Sequence, residues 1–284
     1  MPAVDLISIV ITTYNRSDAL AVVLAALAAQ DDKAFEVIVA DDGSTQAHQD
    51  VTHAAAKGCG LPLVHVWHPD VGFTASRVRN LGVAAASGSY LVLLDGDCVP
   101  ETDFVRQHRR LREEGCFVNG SRVMLSDRLT RQAIAGQVTV FGRSIPFWLG
   151  QRICGGASKL GSLLRLPDFA RRKHANFRWK GIRSCNMGVW LRDYEAVDGF
   201  DESFVGWGHE DADFVLRLHN AGIKRKNGFC ATEVYHLWHC QASRTAESRN
   251  AAIVTQRMHS AQVLPTTGYR ESKGSQDVVV RRWG

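Results

Sequence analysis

Ser87-Gly88-Ser89-Tyr90-Leu91-Val92-Leu93-Leu94-Asp95-Gly96-Asp97 reads as a turn, then an apolar strand, then an acidic tip. An apolar run of that length between turn residues suits a strand covered on both faces. The same signal recurs upstream: Leu63-Val64-His65-Val66-Trp67, Phe35 to Ala40 and Ser8 to Thr12 each read as strands. Helical patterns fill the gaps. Leu20, Val23, Leu24 and Leu27 recur at helical spacing behind N-cap candidates at Asn15 to Asp18. A helix-compatible polar stretch runs to about Lys57, and Phe73 to Ala86 is helical in composition. Strand and helix in alternation predict an α/β domain with a mostly parallel central sheet flanked by helices.

Ligands of such sheets sit beyond the carboxyl ends of the strands. Here strand one ends in Thr12-Thr13-Tyr14-Asn15, strand two in Asp41-Asp42-Gly43-Ser44 and strand four in Asp95-Gly96-Asp97. No GxGxxG or GxxxxGK[ST] follows strand one, which removes the main support for a dinucleotide or P-loop site. Asp95 and Asp97 can offer oxygen ligands to Mg²⁺ or Mn²⁺, and the structural alternative is a turn that ends a strand. Asp42 is either a turn residue or an acceptor for a nucleobase N–H. In Gly206-Trp207-Gly208-His209-Glu210-Asp211-Ala212-Asp213 the acids fall in the first turn of a helix that Gly222 closes. The glycine-tryptophan run ahead of them suits a loop shaped around a ligand, with Trp207 against it, and a carboxylate there suits a general base. His236 and His239 could complete the coordination of Mn²⁺ better than of Mg²⁺. Arg77 and Arg79 are either solvated cations or partners of a nucleotide.

The 284 residues are 45 % apolar and 22 % charged, close to the globular average. That composition excludes a mainly disordered chain, a collagen-like fibre and a coiled coil. Seven cysteines are scattered with no CxxC pair, so neither a disulfide framework nor a structural zinc site is expected. A transmembrane helix and a secretory signal are not expected either. The net charge of +5 suits an anionic ligand or surface without specifying one.

Taken in order, Ile11-Thr12-Thr13-Tyr14-Asn15-Arg16, Val39-Ala40-Asp41-Asp42-Gly43-Ser44, Arg79-Asn80-x-Gly82 and Leu94-Asp95-Gly96-Asp97 resemble glycosyltransferase family 2 enzymes of the GT-A fold. Gly199-Phe200-Asp201-Glu202 and residues 206–213 are similar to a segment shared with galactosyl- and N-acetylgalactosaminyltransferases. The resemblance covers roughly residues 5–240. It implies a Rossmann-like GT-A domain over 1–240, with a nucleotide-binding half to about 115 and an acceptor and catalytic half beyond. A basic helix and tail would occupy 241–284. It also implies roles. Thr12 and Asp42 match contacts to the uracil of a UDP-sugar, with Tyr14 near the base and Arg79 beside the nucleotide. Asp95 and Asp97 match the DxD pair, the second reaching the metal. Asp211 matches the catalytic base and Glu210 a neighbour that holds a sugar. His236 matches a metal ligand, with His239 as the fallback. The family motif often has glycine where His209 stands.

The expected activity is inverting, metal-dependent transfer from a UDP-sugar to a glycan or glycolipid hydroxyl, forming a β-glycoside. Galactose or N-acetylgalactosamine is the favoured donor sugar, with N-acetylglucosamine and glucose still open. Lipopolysaccharide core or capsule is the expected acceptor, and the cytoplasm the expected site. A nucleotidyltransferase would carry a glycine-rich basic signature after strand one, and Thr12 to Arg16 is not that. A glycan-binding module would not need Asp42, Asp97 and Asp211 together.

The remainder is less legible. Val118 to Val123 reads as one strand, and Ser184 to Trp190 as a return to the sheet beside the donor site. Arg165, Arg171, Arg172, Lys173, Arg178, Lys180 and Arg183 accumulate against the single acid Asp168, among Trp148, Phe169, Phe177 and Trp179. They suit a solvated helix face, a surface for an anionic acceptor, or peripheral contact with an anionic membrane leaflet. Nucleic acid ranks below these, because the acidic strand tips would repel phosphates that lack a metal. Ala246 to Leu264, near basic residues such as Arg244, suits a helix, and the last fifteen or so residues look loose.

Overall fold

The computed structural model describes residues 5–174, 176–177, 181–240 and 247–283. Four strands, β1 (Ile7–Thr13), β2 (Phe35–Asp41), β3 (Leu63–Trp67) and β4 (Tyr90–Asp95), alternate with helices α1 (Ser17–Ala28), α2 (Gln46–Gly58) and α3 (Ala75–Ala84). The pairs β1–β2, β2–β3 and β1–β4 are all parallel. Alternate side chains divide between two cores, as the period-2 geometry of a strand demands. Ile7, Ile9, Ile11, Val92 and Leu94 pack with α1 on one face. Val10, Leu91 and Leu93 pack with Val78, Leu81 and Val83 of α3 on the other.

Helix α3 lies unusually near the sheet. A methyl group built on Gly82 would stand 2.6 Å from Val10 Cγ1 and 2.8 Å from Ala40 Cβ. Only a residue without a side chain fits there, so the glycine of Arg79-Asn80-x-Gly82 sets the depth at which Arg79 is carried. The helix begins at Ala75 rather than Phe73, because the Thr74 N–H donates to Asp42 Oδ2 at 3.0 Å.

The second half adds β5 (Cys98–Pro100), α4 (Phe104–Leu111), β6 (Cys116–Asn119), β7 (Ser121–Met124), α5 (Asp127–Ile134), α6 (Ile145–Ile153), β8 (Lys173–His174), β9 (Asn186–Trp190), α7 (Leu191–Ala196), α8 (Glu210–Asn220), β10 (Lys224–Asn227) and β11 (Glu233–His236). The C-terminal segment contributes α9 (Glu247–Arg257), α10 (Tyr269–Lys273) and β12 (Val279–Trp283). The main sheet runs β12-β3-β2-β1-β4-β9-β6-β10-β8, and a smaller one runs β5-β11-β7. Strand β9 returns antiparallel to β4, as expected of Ser184 to Trp190.

Three expectations need correction. Val118 to Val123 is not one strand: it divides at Gly120, with β6 in the main sheet and β7 in the small one. The Gly120 N–H donates to the Asn186 carbonyl at 2.9 Å. A Cβ there would lie 2.2 Å from the Asn186 side chain, so the chain can cross between sheets only where it carries none. Nor is the C-terminus loose. Strand β12 pairs antiparallel with β3, Tyr269 is buried in the second core, and the Trp283 ring stacks on His53 at 3.8 Å. The helix expected over Ala246 to Leu264 is the shorter α9. Arg244 and Ala246 lie outside the described residues.

Candidate active site

The strand tips converge as the parallel sheet requires. Thr12 lies opposite Asp95 in the β1–β4 register, and its hydroxyl donates to Asp95 Oδ1 at 3.0 Å. Arg79 of α3, only 5 % exposed, reaches the same Asp95 oxygen through Nη2 at 3.3 Å. Its Nη1 donates to Glu210 Oε1 of α8, also at 3.3 Å. The guanidinium rests 5.2 Å from the centre of the Phe200 ring. Burial alone would depress the Arg79 pKa, but Asp95 and then Glu210 hold it above the ordinary value. One buried cation thus ties β4, α3 and α8 together.

Asp211, the next residue of α8, is partly buried. Burial pushes its carboxyl up to about 7, and the Glu210 carboxylate adds to the rise. Arg79 and the N–H groups of Ala212 and Ser184 oppose that shift. The loop that delivers this pair is tightly wound. Gly206, Gly208 and His209 have φ of 79°, 110° and 68°, in the left-handed region that glycine adopts freely and histidine does not. Position 209 therefore has the backbone conformation that suits the glycine often found there in the family motif. Trp207 is half-buried between the two glycines.

A second cluster forms where the small sheet meets β4. Asp97 lies between two imidazoles: His239 Nε2 is 3.2 Å from Oδ2 and His236 Nε2 is 3.7 Å from Oδ1. The antiparallel pairing of β5 with β11 sets His236 opposite Cys98, and the Asp97 carbonyl accepts from the Leu237 N–H at 2.9 Å. Burial draws His236 below the ordinary histidine range, against the pull of Asp97, so the ring is neutral near pH 7. Its Nδ1 is buried without a partner among the described residues. Asp97, Cys98 and His236 hold ligand atoms within 4.8 Å of one another. Sequence reasoning passed over Cys98, and burial keeps its thiol protonated.

The remaining strand-tip residues form a loop anchor. Asp42 is 6 % exposed; Oδ1 lies 3.0 Å from His68 Nε2 and accepts from the Thr74 hydroxyl, and Oδ2 accepts from the Thr74 N–H. Tyr14 is 47 % exposed and donates to Asp70 Oδ2 at 2.9 Å. His68 and Asp70 follow β3, the one early strand whose tip was not read for chemistry. Of the two arginines left open by the sequence, Arg77 pairs with Asp277 at 2.8 Å, while Arg79 enters the acidic cluster.

Among its described residues the basic run forms a short 3-10 turn and a two-residue strand rather than a helix face, and three of its cations are spent locally. Arg165 pairs with Asp103 and Lys173 with Glu113. Arg172 donates to the carbonyls of Leu166, Pro167, Asn227 and Phe229. Arg178, Trp179 and Lys180 lie outside the described residues.

Comparison with known proteins agrees with this architecture. Residues 8–155 match the profile described as Glycosyl transferase family 2, and residues 165–240 that of the N-terminal domain of galactosyltransferase. Validoxylamine A glucosyltransferase of Streptomyces hygroscopicus subsp. jinggangensis is 31 % identical over 231 residues, covering 78 % of this chain and 53 % of that protein. Chondroitin synthase of Escherichia coli is 28 % identical over 227 residues, 77 % of this chain and 33 % of that one. The chain thus spans about half or less of the length of these two relatives. The crystal structure of S. aureus TarS shares the fold with a TM-score of 0.58 at 14 % identity, over 94 % of this chain and 41 % of that one. Among the described residues no helix is long and apolar enough to cross a membrane.

Proposed function

The chain belongs to glycosyl transferase family 2, and we propose that it moves a hexose from a UDP-sugar to a hydroxyl of a cell-surface glycan intermediate. The observation that carries this reading is the Asp95–Arg79–Glu210 chain of ion pairs ending beside Asp211, whose carboxyl is held near 7. A carboxylate poised at the operating pH is suited to general-base work.

In this reading Asp211 accepts the proton of the acceptor hydroxyl. The oxygen attacks the anomeric carbon in line, and the bond to the diphosphate breaks. One displacement inverts that centre, so an α-linked donor yields a β-glycoside. Glu210 holds a sugar, and Arg79 keeps Glu210 in place. Thr12, Tyr14, Asp42 and Trp207 form the nucleotide side. Asp42 already serves His68 and Thr74, but a carboxylate has further lone pairs for a base N–H.

The donor set of Asp97, His236 and His239, one carboxylate and two imidazoles with His236 neutral, fits Mn²⁺ well and Mg²⁺ less well. When bound there, the cation would supply positive charge to the departing diphosphate. The match of residues 165–240 to a galactosyltransferase profile supports galactose or N-acetylgalactosamine, and the glucosyltransferase relative supports glucose. Lipopolysaccharide core or capsule in the cytoplasm, with peripheral membrane contact, completes the proposal.

Thermal-shift measurements with UDP-Gal, UDP-GalNAc, UDP-GlcNAc and UDP-Glc, each with Mn²⁺ and with EDTA, test it. Stabilisation that needs both metal and nucleotide is expected. A flat response to all four donors would sink the reading, and equal shifts in EDTA would remove the metal from it.

A further inference from the structure

A cavity of about 230 Å³ opens between the two sheets beside the proposed transfer centre. Its lining includes Arg122, Lys159, Arg183 and Arg225, and no carboxylate. These cations come from four separated stretches of chain, so no sequence run announces them, and only Arg183 belongs to the basic run noted above. They act on one another: burial pulls the Lys159 ammonium below its ordinary range, and Arg183 and Arg122 add to the effect against Glu233. Burial in turn raises the Glu233 carboxyl above its ordinary range, and Glu233 is not among the residues that line the cavity.

The cavity adjoins the reacting groups through consecutive residues. Arg183 lines it, the Ser184 N–H bonds to the Asp211 carboxylate, and the Cys185 carbonyl accepts from the Asp95 N–H at 3.4 Å. Arg122 Nη1 lies 3.9 Å from Cys185 Sγ. At the mouth, Phe229 is half-exposed with the Lys159 ammonium 5.5 Å from its ring centre. An aromatic face beside converging cations suits a sugar ring that carries a negative group. Asn119 adds a buried Oδ1 without a partner among the described residues, an acceptor for a ligand hydroxyl.

We infer that this cavity is the acceptor subsite and that it selects an acceptor sugar bearing a carboxylate or a phosphate. The inference rests on the transferase reading for the word acceptor. Its ligand chemistry does not, and it can be tested alone.

Ligand-observed NMR would titrate a methyl uronide, a hexose phosphate and the matching neutral methyl hexoside into the wild type, Lys159→Gln and Arg183→Gln. UDP with Mn²⁺ serves as a parallel probe, and pelleting with phosphatidylglycerol vesicles as a third. The anionic sugars should bind about tenfold or more tightly than the neutral one, and each variant should erase most of that margin. UDP binding and melting temperature should stay unchanged, which separates a lost subsite from a lost fold. Equal affinity for charged and neutral sugars, or variants that keep the margin, would overturn the inference. Variants that lose vesicle binding alone would assign the cations to a lipid headgroup and also overturn it. Failure of UDP to bind the wild type would count against the donor site and leave the sugar result standing.

Discussion

Asp211 carries opposed demands. A carboxyl raised in the folded protein binds its proton more tightly there than in the unfolded chain. Its contribution to stability is therefore greatest at low pH and declines as pH rises through about 7. The base works only when ionised, so kcat/KM should fall as pH drops below about 7. Asp211→Asn should lower kcat by about 10²–10⁴-fold while UDP binding persists. The same variant should melt higher than wild type at pH 8, and its gain should shrink as pH falls, vanishing only below about 4, where both states carry the proton. Parallel melting curves across that range, or full turnover by the amide, would refute the assignment. Asp42 is the counter-case at this scale. The sequence marks it as a strand-tip acid, but nothing in its neighbours reveals that His68 and Thr74 occupy it.

Among the elements, α3 shows how a helix too near a sheet is made useful. Alanine at position 82 gains about 1 kcal/mol of helix propensity. It must also displace Val10 and Ala40 from contacts inside 3 Å, which costs about 1–3 kcal/mol. Gly82→Ala should therefore lower the melting temperature and, by lifting Arg79 off Asp95, reduce turnover as well. A variant at least as stable as wild type would show that the layers separate freely. Elements of strong period were legible: β1 to β4 and α1 follow from uninterrupted apolar runs and helical spacing. The division at Gly120 was not, because Cys116 to Met124 reads as one β-rich run whichever sheet its halves join. What separates them is the Asn186 side chain, far along the chain.

For the whole molecule, the nine-stranded sheet is completed from its far end. Strand β12 covers the edge of β3; Arg281 reaches back to Gln49 Oε1 of α2 at 3.3 Å, and Arg282 is exposed on the edge strand. Removing residues 277–284 should lower the melting temperature by several degrees, at about 2–4 °C per kcal/mol for a chain near this size, and should increase light scattering on heating. Unchanged melting would mean that β3 needs no cover. This closure was illegible because Val279–Trp283 is short and split by two arginines, and becomes a strand only against a partner some two hundred residues upstream. The site was more legible than the closure. Its acids stand at strand ends and in the first turn of α8, where the chain itself announces them, whereas the cavity cations were scattered.

Arg79 leaves a mark on how such a molecule can change over time. Its two ion pairs join Asp95, at the tip of β4, to Glu210, at the start of α8. A substitution at any one of the three strands a buried charge, and no single further step repairs it. These positions are therefore coupled characters. In a lineage of descendants they should persist together or be exchanged together, while the exposed loops around them drift independently.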